Sequence, residues 1–144
     1  MFSKACEYGI KACIFIAEQS VNNRRVSLKE VASSIDSPEA YTSKILQHLC
    51  QNNIVRSDKG PLGGFSIPAP ILSHLKLSNI VYLIDGDNIY KGCGLGLKRC
   101  NEKLPCPVHN KFKVIRSELK EMLESTTILS LVDKLHNGLT FLKR

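Results

Sequence analysis

No window of the chain reaches the ~18 consecutive apolar residues of a membrane-spanning helix, so none is expected. The opening residues, Met1-Phe2-Ser3-Lys4-Ala5-Cys6-Glu7, lack the basic, apolar, then small-residue order of a signal peptide, and a cytoplasmic address is expected. Catalytic apparatus is missing too. There is no nucleophile–base–orienter set and no phosphate-cradling glycine motif, and an enzyme is not expected. The paired C-x2-C knuckles of common zinc ribbons are absent. Acids are in short supply: 13 Asp and Glu stand against 20 Lys and Arg, a net charge of +7 on 144 residues. That excess favours a polyanionic partner. The length suits one compact domain with room for an appended element. Six cysteines in a reducing compartment read as core thiols and metal ligands rather than as a disulfide framework.

What is present follows a clear order. Ala5, Tyr8, Ala12, Phe15, Ile16 and Gln19 fall near one face of a helix from about Ser3 to Gln19. The polar stretch Ser20 to Arg25 breaks it. Ser27 caps a short second helix, with Glu30 completing a capping box, and Asp36-Ser37-Pro38-Glu39 forms a turn into a third helix. That helix runs to about Gln51 and buries Tyr41, Ile45, Leu46 and Leu49. Ile54 to Ser57 and Phe65 to Ile67 flank a Gly/Pro loop and make a hairpin. Leu77, Ile80, Val81 and Ile84 place a fourth short helix. The order is that of a winged helix-turn-helix, so the fold class is mainly α with a small β-hairpin.

Residues 88–107 show no periodicity and carry three cysteines. Beyond them Val108, Phe112, Ile115, Leu119 and Met122 recur at intervals of 4, 3, 4 and 3. This is a heptad seam, and the helix from Val108 to Ser125 is read as a dimer contact in preference to one docked on its own domain. A final helix, Thr127 to Leu135, covers that seam or the core. Three segments follow: 1–87 as the winged helix-turn-helix domain, 88–107 as the cysteine loop, and 108–144 as the dimerisation and C-terminal helices.

The third helix would enter the major groove of double-stranded DNA by its N-terminal residues. Ser37, Ala40, Ser43, Lys44 and Gln47 are its reading positions, together with Glu39. Tyr41 can reach a phosphate through its hydroxyl, although its spacing favours the core. In the wing, Lys59 can meet phosphate or the minor groove, and Gly60 and Gly63 allow close backbone approach. Cys93-x6-Cys100-x5-Cys106-x2-His109 sets four soft or borderline ligands in one flexible loop. Three thiolates there suit an iron–sulfur cluster, or zinc as the lesser alternative. Cys13 and Cys50 read as packing residues.

Nearly the whole chain resembles the bacterial winged-helix regulator family of IscR and NsrR. The resemblance rests on Glu7-Tyr8-Gly9-Ile10-Lys11-Ala12, Ser27-Leu28-Lys29-Glu30-Val31-Ala32, Tyr41 through Leu49, Lys59-Gly60-Pro61-Leu62-Gly63-Gly64-Phe65, and the three cysteines with His109. It implies a homodimer, joined through the helix near Val108 to Ser125, that binds partly palindromic operators. It also implies that Cys93, Cys100 and Cys106 hold a [2Fe-2S] or [4Fe-4S] cluster whose occupancy changes operator affinity in response to redox, nitric oxide or iron–sulfur status. Two fourth ligands stay open. His109 matches IscR-like members, and Glu7 matches the acidic residue that NsrR-like members offer from the partner's first helix. Glu7 is preferred, because a carboxylate is more easily displaced from iron. The first cysteine gap is one residue longer than the family's usual spacing, Leu62 replaces a usual wing glycine, and Ser43 stands where IscR has a glutamate. The competing expectations are a cluster-free thiol- or zinc-sensing regulator, and an interaction module that has lost DNA binding.

Overall fold

The structure is a computed structural model and describes residues 1–143. Its first helix, α1 (Lys4–Val21), is started by Ser3, whose Oγ accepts from Cys6 N at 3.1 Å. The residues that α1 buries are Cys6, Gly9, Ala12, Cys13, Ile14, Ile16 and Ala17. Ala12 and Ile16 lie in the expected stripe, whereas Ala5, Tyr8, Phe15 and Gln19 are only half-buried. The core face is rotated from the expected one because small size, not apolar bulk, decides it. Gly9 is an example: a Cβ there would fall 2.3 Å from Ile84 Cδ1.

Four helices close on α1: α2 (Leu28–Ile35), α3 (Glu39–Gln51), α5 (Leu77–Asp85) and α8 (Ile128–His136). The capping box of α2 is complete. Ser27 Oγ accepts from Glu30 N at 3.2 Å, and Ser27 N donates to Glu30 Oε2 at 2.8 Å. Pro38 sits just before α3 as its cap rather than within its first turn. On α3, Ile45, Leu46 and Leu49 are buried, joined by Thr42, whose hydroxyl donates to Pro38 O at 3.0 Å. Tyr41 is only half-buried.

The hairpin pairs β1 (Arg56–Asp58) with β2 (Gly64–Ser66), antiparallel, with Ser57 opposite Phe65. Both strands lie slightly displaced from the apolar runs that announce them, because Val55 and Ile67 turn into the core and anchor the hairpin from below. Val26 adds a bridge on the other side of β2 by exchanging hydrogen bonds with Phe65, at 3.1 and 2.7 Å. Two single-turn helices were not expected: α4 (Ala69–Leu72), over Pro68 and Pro70, and α6 (Asn88–Lys91). Proline fits the first turn of α4 because no N–H is needed there.

The long helix α7 (His109–Ser125) packs on α5 and α6. Its seam divides. Phe112 and Leu119 turn toward their own chain with fully buried Leu123, whereas Ile115 and Met122 remain 55% and 44% exposed beside Val114. The apolar arc is wider than a coiled-coil stripe and presents two faces. Thr127 caps α8 by accepting from Ser130 N at 3.2 Å. The α7–α8 junction is stitched to the chain ahead of α5 by Leu77 N to Thr126 O at 3.0 Å and Ile128 N to Leu75 O at 2.8 Å. No helix among the described residues is long and apolar enough to cross a membrane.

The capping box yields a stability test. Ser27→Ala should cost about 1 kcal/mol in urea unfolding, as removal of a helix cap does. The Ser27 backbone N–H and, to a lesser extent, Arg24 hold the Glu30 carboxyl below the usual carboxylate range. A group depressed in the folded state contributes stability above its unfolded pKa, and that contribution is lost as pH falls through the folded value. Wild type should therefore lose this increment on acidification, and Glu30→Gln should lose less over the same pH range.

Candidate nucleic-acid interface and cysteine loop

Asp36 ends α2 in the left-handed region, at φ 53° and ψ 56°, and its turn sets α3 across α2. With Thr42, Ile45, Leu46 and Leu49 facing inward, helical spacing leaves Glu39, Ala40, Ser43, Lys44 and Gln47 exposed along the opposite side. Tyr41 stands between the two faces. Its ring meets Tyr8 edge-to-face at 5.6 Å, and Lys11 Nζ lies 4.8 Å over the Tyr8 ring while donating to Ile35 O at 3.3 Å. Ser37 differs from the sequence expectation. Its hydroxyl oxygen is buried with no hydrogen-bond partner among the described residues, so it is less open to solvent than the sequence leads one to expect.

The wing is braced from outside the hairpin. Arg25 Nε lies 3.2 Å from Asp58 Oδ2, and Arg25 Nη1 donates to Leu62 O at 3.0 Å. Arg56 reaches the other Asp58 oxygen, with Nη2 at 3.2 Å. Lys59 is exposed at the tip. Gly60 adopts φ +97°, which favours glycine, and a Cβ on Gly63 would fall 2.3 Å from Asp58 O. Sequence reading missed the role of Arg25, which it placed in a helix-breaking stretch. The only available signal was a basic residue directly ahead of Val26 and the Ser27 cap.

The thiols differ in burial, and Cys50, half-buried on α3, is pushed up by burial. Cys6 and Cys13 are fully buried, and burial pushes both thiols up to about 12, with Asp85 adding to the effect at Cys6. Cys93, Cys100 and Cys106 are only half-buried. Backbone N–H groups of Leu95 and Leu97 hold the Cys93 thiol below its ordinary value, with smaller contributions from Cys106 and Arg116. Cys100 Sγ lies 3.3 Å from Nδ1 of His109, which is 5% exposed at the start of α7. Arg116 Nη2 donates to the same sulfur at 3.3 Å. The structure thus gathers Cys93 near Cys106, and Cys100 beside His109. No three His, Cys, Asp or Glu side chains converge as a metal site among the described residues. Glu7, on α1, pairs with Lys4 at 2.8 Å, and that pairing leads in holding its carboxyl below the usual range. As a donor set, three accessible thiols, an imidazole and N–H groups directed at sulfur fit a thiolate-bound cluster. Closing that set requires the two pairs to move together.

A family profile described as an iron-dependent transcriptional regulator, Rrf2, matches residues 2–134. The chain belongs to the Rrf2 family. Rrf2 regulators bind DNA, in accord with the exposed face of α3 and the wing. A relative named as an HTH-type transcriptional regulator in Aquifex aeolicus is 29% identical over 135 residues, 92% of each chain. Another of that type, from Haemophilus influenzae, is 23% identical and aligns over 88% of this chain and 83% of its own. The structure of CymR (YrzC), the global cysteine regulator of B. subtilis, superposes with a TM-score of 0.74 at 22% identity, covering 92% of this chain and 96% of its own. T. potens IscR superposes at 0.72 with 18% identity, over 98% and 92%. These likenesses establish the winged-helix Rrf2 fold.

Gly63 supplies a test of the wing. Gly63→Ala drives a methyl against the Asp58 and Lys59 backbone, which cannot step aside as a side-chain tip can. The variant should keep its helical circular dichroism and bind operator DNA on the order of tenfold more weakly, the size of one good base contact. Unchanged affinity would show that the wing does not touch DNA.

Proposed function

We propose that this Rrf2-family regulator is a homodimer that reads a double-stranded operator with α3 and the wing, and that it senses redox, nitric oxide or iron–sulfur status through a cluster held by Cys93, Cys100 and Cys106. The observation that carries this reading is the set of three accessible thiols in one loop, with Cys100 seated beside His109 on α7. In it, residues 1–87 form the reading domain, 88–107 the sensing loop and 108–144 the dimerisation and C-terminal helices. The exposed Val114, Ile115 and Met122 of α7 meet a second copy. Ala40, Ser43, Lys44 and Gln47 face the groove, Tyr41 braces α3 at its edge, and Lys59, Gly60 and Gly63 approach the backbone of the duplex. Ser37 stands at the turn that leads into the same face.

The fourth ligand is His109 or the partner's Glu7. His109 is the one already in contact with a ligand cysteine, whereas Glu7 is held by Lys4 and must be released first. The cluster, when bound, supplies an iron centre open to small oxidants. The chain's own residues orient the sulfurs and carry the change to α7.

A second reading, sensing through thiols or zinc without a cluster, is favoured by the nearness of Cys93 to Cys106 and by similarity to a protein named as a cysteine regulator. Iron and sulfide analysis with an optical spectrum after anaerobic reconstitution separates the two. The cluster reading predicts iron, sulfide and visible charge-transfer absorption, all abolished in Cys100→Ala with the dimer intact. Colourless protein with stoichiometric zinc supports the second reading.

DNA reading has its own test. Lys44→Ala and Lys59→Ala should each weaken operator binding. Wherever the lysine meets a phosphate, its removal should flatten the slope of log affinity against log salt by about 0.9. Unaltered binding in both would mean that the module no longer reads DNA.

A further inference from the structure

The segment between Gly92 and Val108 has almost no regular structure, yet it is held to one stripe of α7. His109, Phe112 and Arg116 share that stripe by helical spacing. Each touches the loop differently. His109 meets the Cys100 sulfur. The Phe112 ring lies against Gly94 so closely that a Cβ there would fall 2.5 Å from it. Arg116 has the longest span. Its Nη1 donates to Gly92 O at the start of the loop, and its Nη2 donates to Cys100 Sγ at 3.3 Å.

A guanidinium suits this task. Its donors are fixed in a plane and can serve two acceptors at once, and its charge is not lost at any pH the fold survives. An ammonium offers one point of attachment and is more strongly hydrated. We propose that Arg116 is a positioning residue of the cysteine site, which fixes the Cys100 sulfur on α7 and supplies it with an N–H···S hydrogen bond. The proposal rests on reading the three loop cysteines as ligands. It makes Cys100 the stationary corner of the site, onto which Cys93 and Cys106 close.

Two consequences follow from the chemistry. Gathering three thiolates concentrates negative charge, and Arg116 is a permanent cation already hydrogen-bonded to one of them. Hydrogen bonds to ligand sulfur and local net charge set the potential of a cluster, so removing this donor shifts it to more negative values. The fork also ties the loop to the helix whose exposed residues include Ile115, the preceding residue in the chain. Loop position and helix position are thereby mechanically joined.

The test uses the full chain with Arg116→Met, which keeps much of the side chain's length and removes its donors, and Arg116→Lys, which keeps the charge. In protein prepared without iron, amide hydrogen exchange across residues 92–100 should be roughly tenfold faster in Arg116→Met, as expected when a charged hydrogen bond is removed. Exchange in α3 should not change, and Arg116→Lys should fall between. After anaerobic reconstitution, Arg116→Met should show a more negative midpoint potential or a lower iron content, partly restored by Arg116→Lys. Wild-type exchange rates in Arg116→Met would overturn the hold on the loop, and an unchanged potential with full iron would overturn the role at sulfur. Wild-type protein that takes up no iron would refute the ligand reading alone, since the exchange measurement still decides whether Arg116 positions Cys100.

Discussion

The fold depends on the burial of α1 on several sides at once. Gly9, Ala12, Cys13 and Ala17 are small enough to let α2, α3, α5 and α8 approach its backbone closely, and Ile14 and Ile16 fill the wider gaps. Close packing of this kind leaves little room for adjustment, since interiors are as dense as organic crystals. The elements proposed to read DNA, α3 and the wing, inherit their placement from it. Tyr41 of α3 rests on Tyr8 of α1, and Lys11 of α1 satisfies a carbonyl at the end of α2. The wing joins the same body through the Val26–Phe65 bridge and through the Ser20 hydroxyl, which accepts from Ile67 N at 2.9 Å.

Much of this was legible in the residues. The Ser27–Glu30 box, the punctuation at Asp36 to Pro38, the Gly/Pro loop of the hairpin and the Thr127 start are local signals, and local chemistry decides them. The features that escaped are tertiary. Nothing near Val26 announces a bridge to Phe65, because the partner lies far along the chain. The core face of α1 was misplaced because apolar periodicity weights Phe15 and Tyr8 above Gly9 and Cys13, whereas contact from several directions selects for small side chains. Ser37 sits where exposed capping hydroxyls are common, and only the folded turn shows its oxygen buried.

The loop cysteines were legible by type and spacing, but their arrangement was not. Spacing could not distinguish three converging thiols from the two pairs that the structure holds. Nor did it single out Arg116, one of many basic residues in a strongly basic chain, whose position on the His109 stripe gives it two acceptors. Burial sets Cys6 and Cys13 apart, held protonated in the core, from the three loop cysteines, which stay within reach of solvent.

The packing of α8 on α1 joins helices more than a hundred residues apart, and this bears on how the protein is made. Domains are built from the N-terminus during synthesis, and contacts between distant segments form only when both exist. As long as α8 is still within the ribosome, α1 lacks one of its covering helices, and Cys6, Cys13 and their apolar neighbours have no complete shelter. The support that α1 gives to α2, α3 and the hairpin is therefore complete only once α8 has docked. A chain that lacks α8 should hold α3 and the wing less firmly, since both rest on α1 and α1 is left partly uncovered.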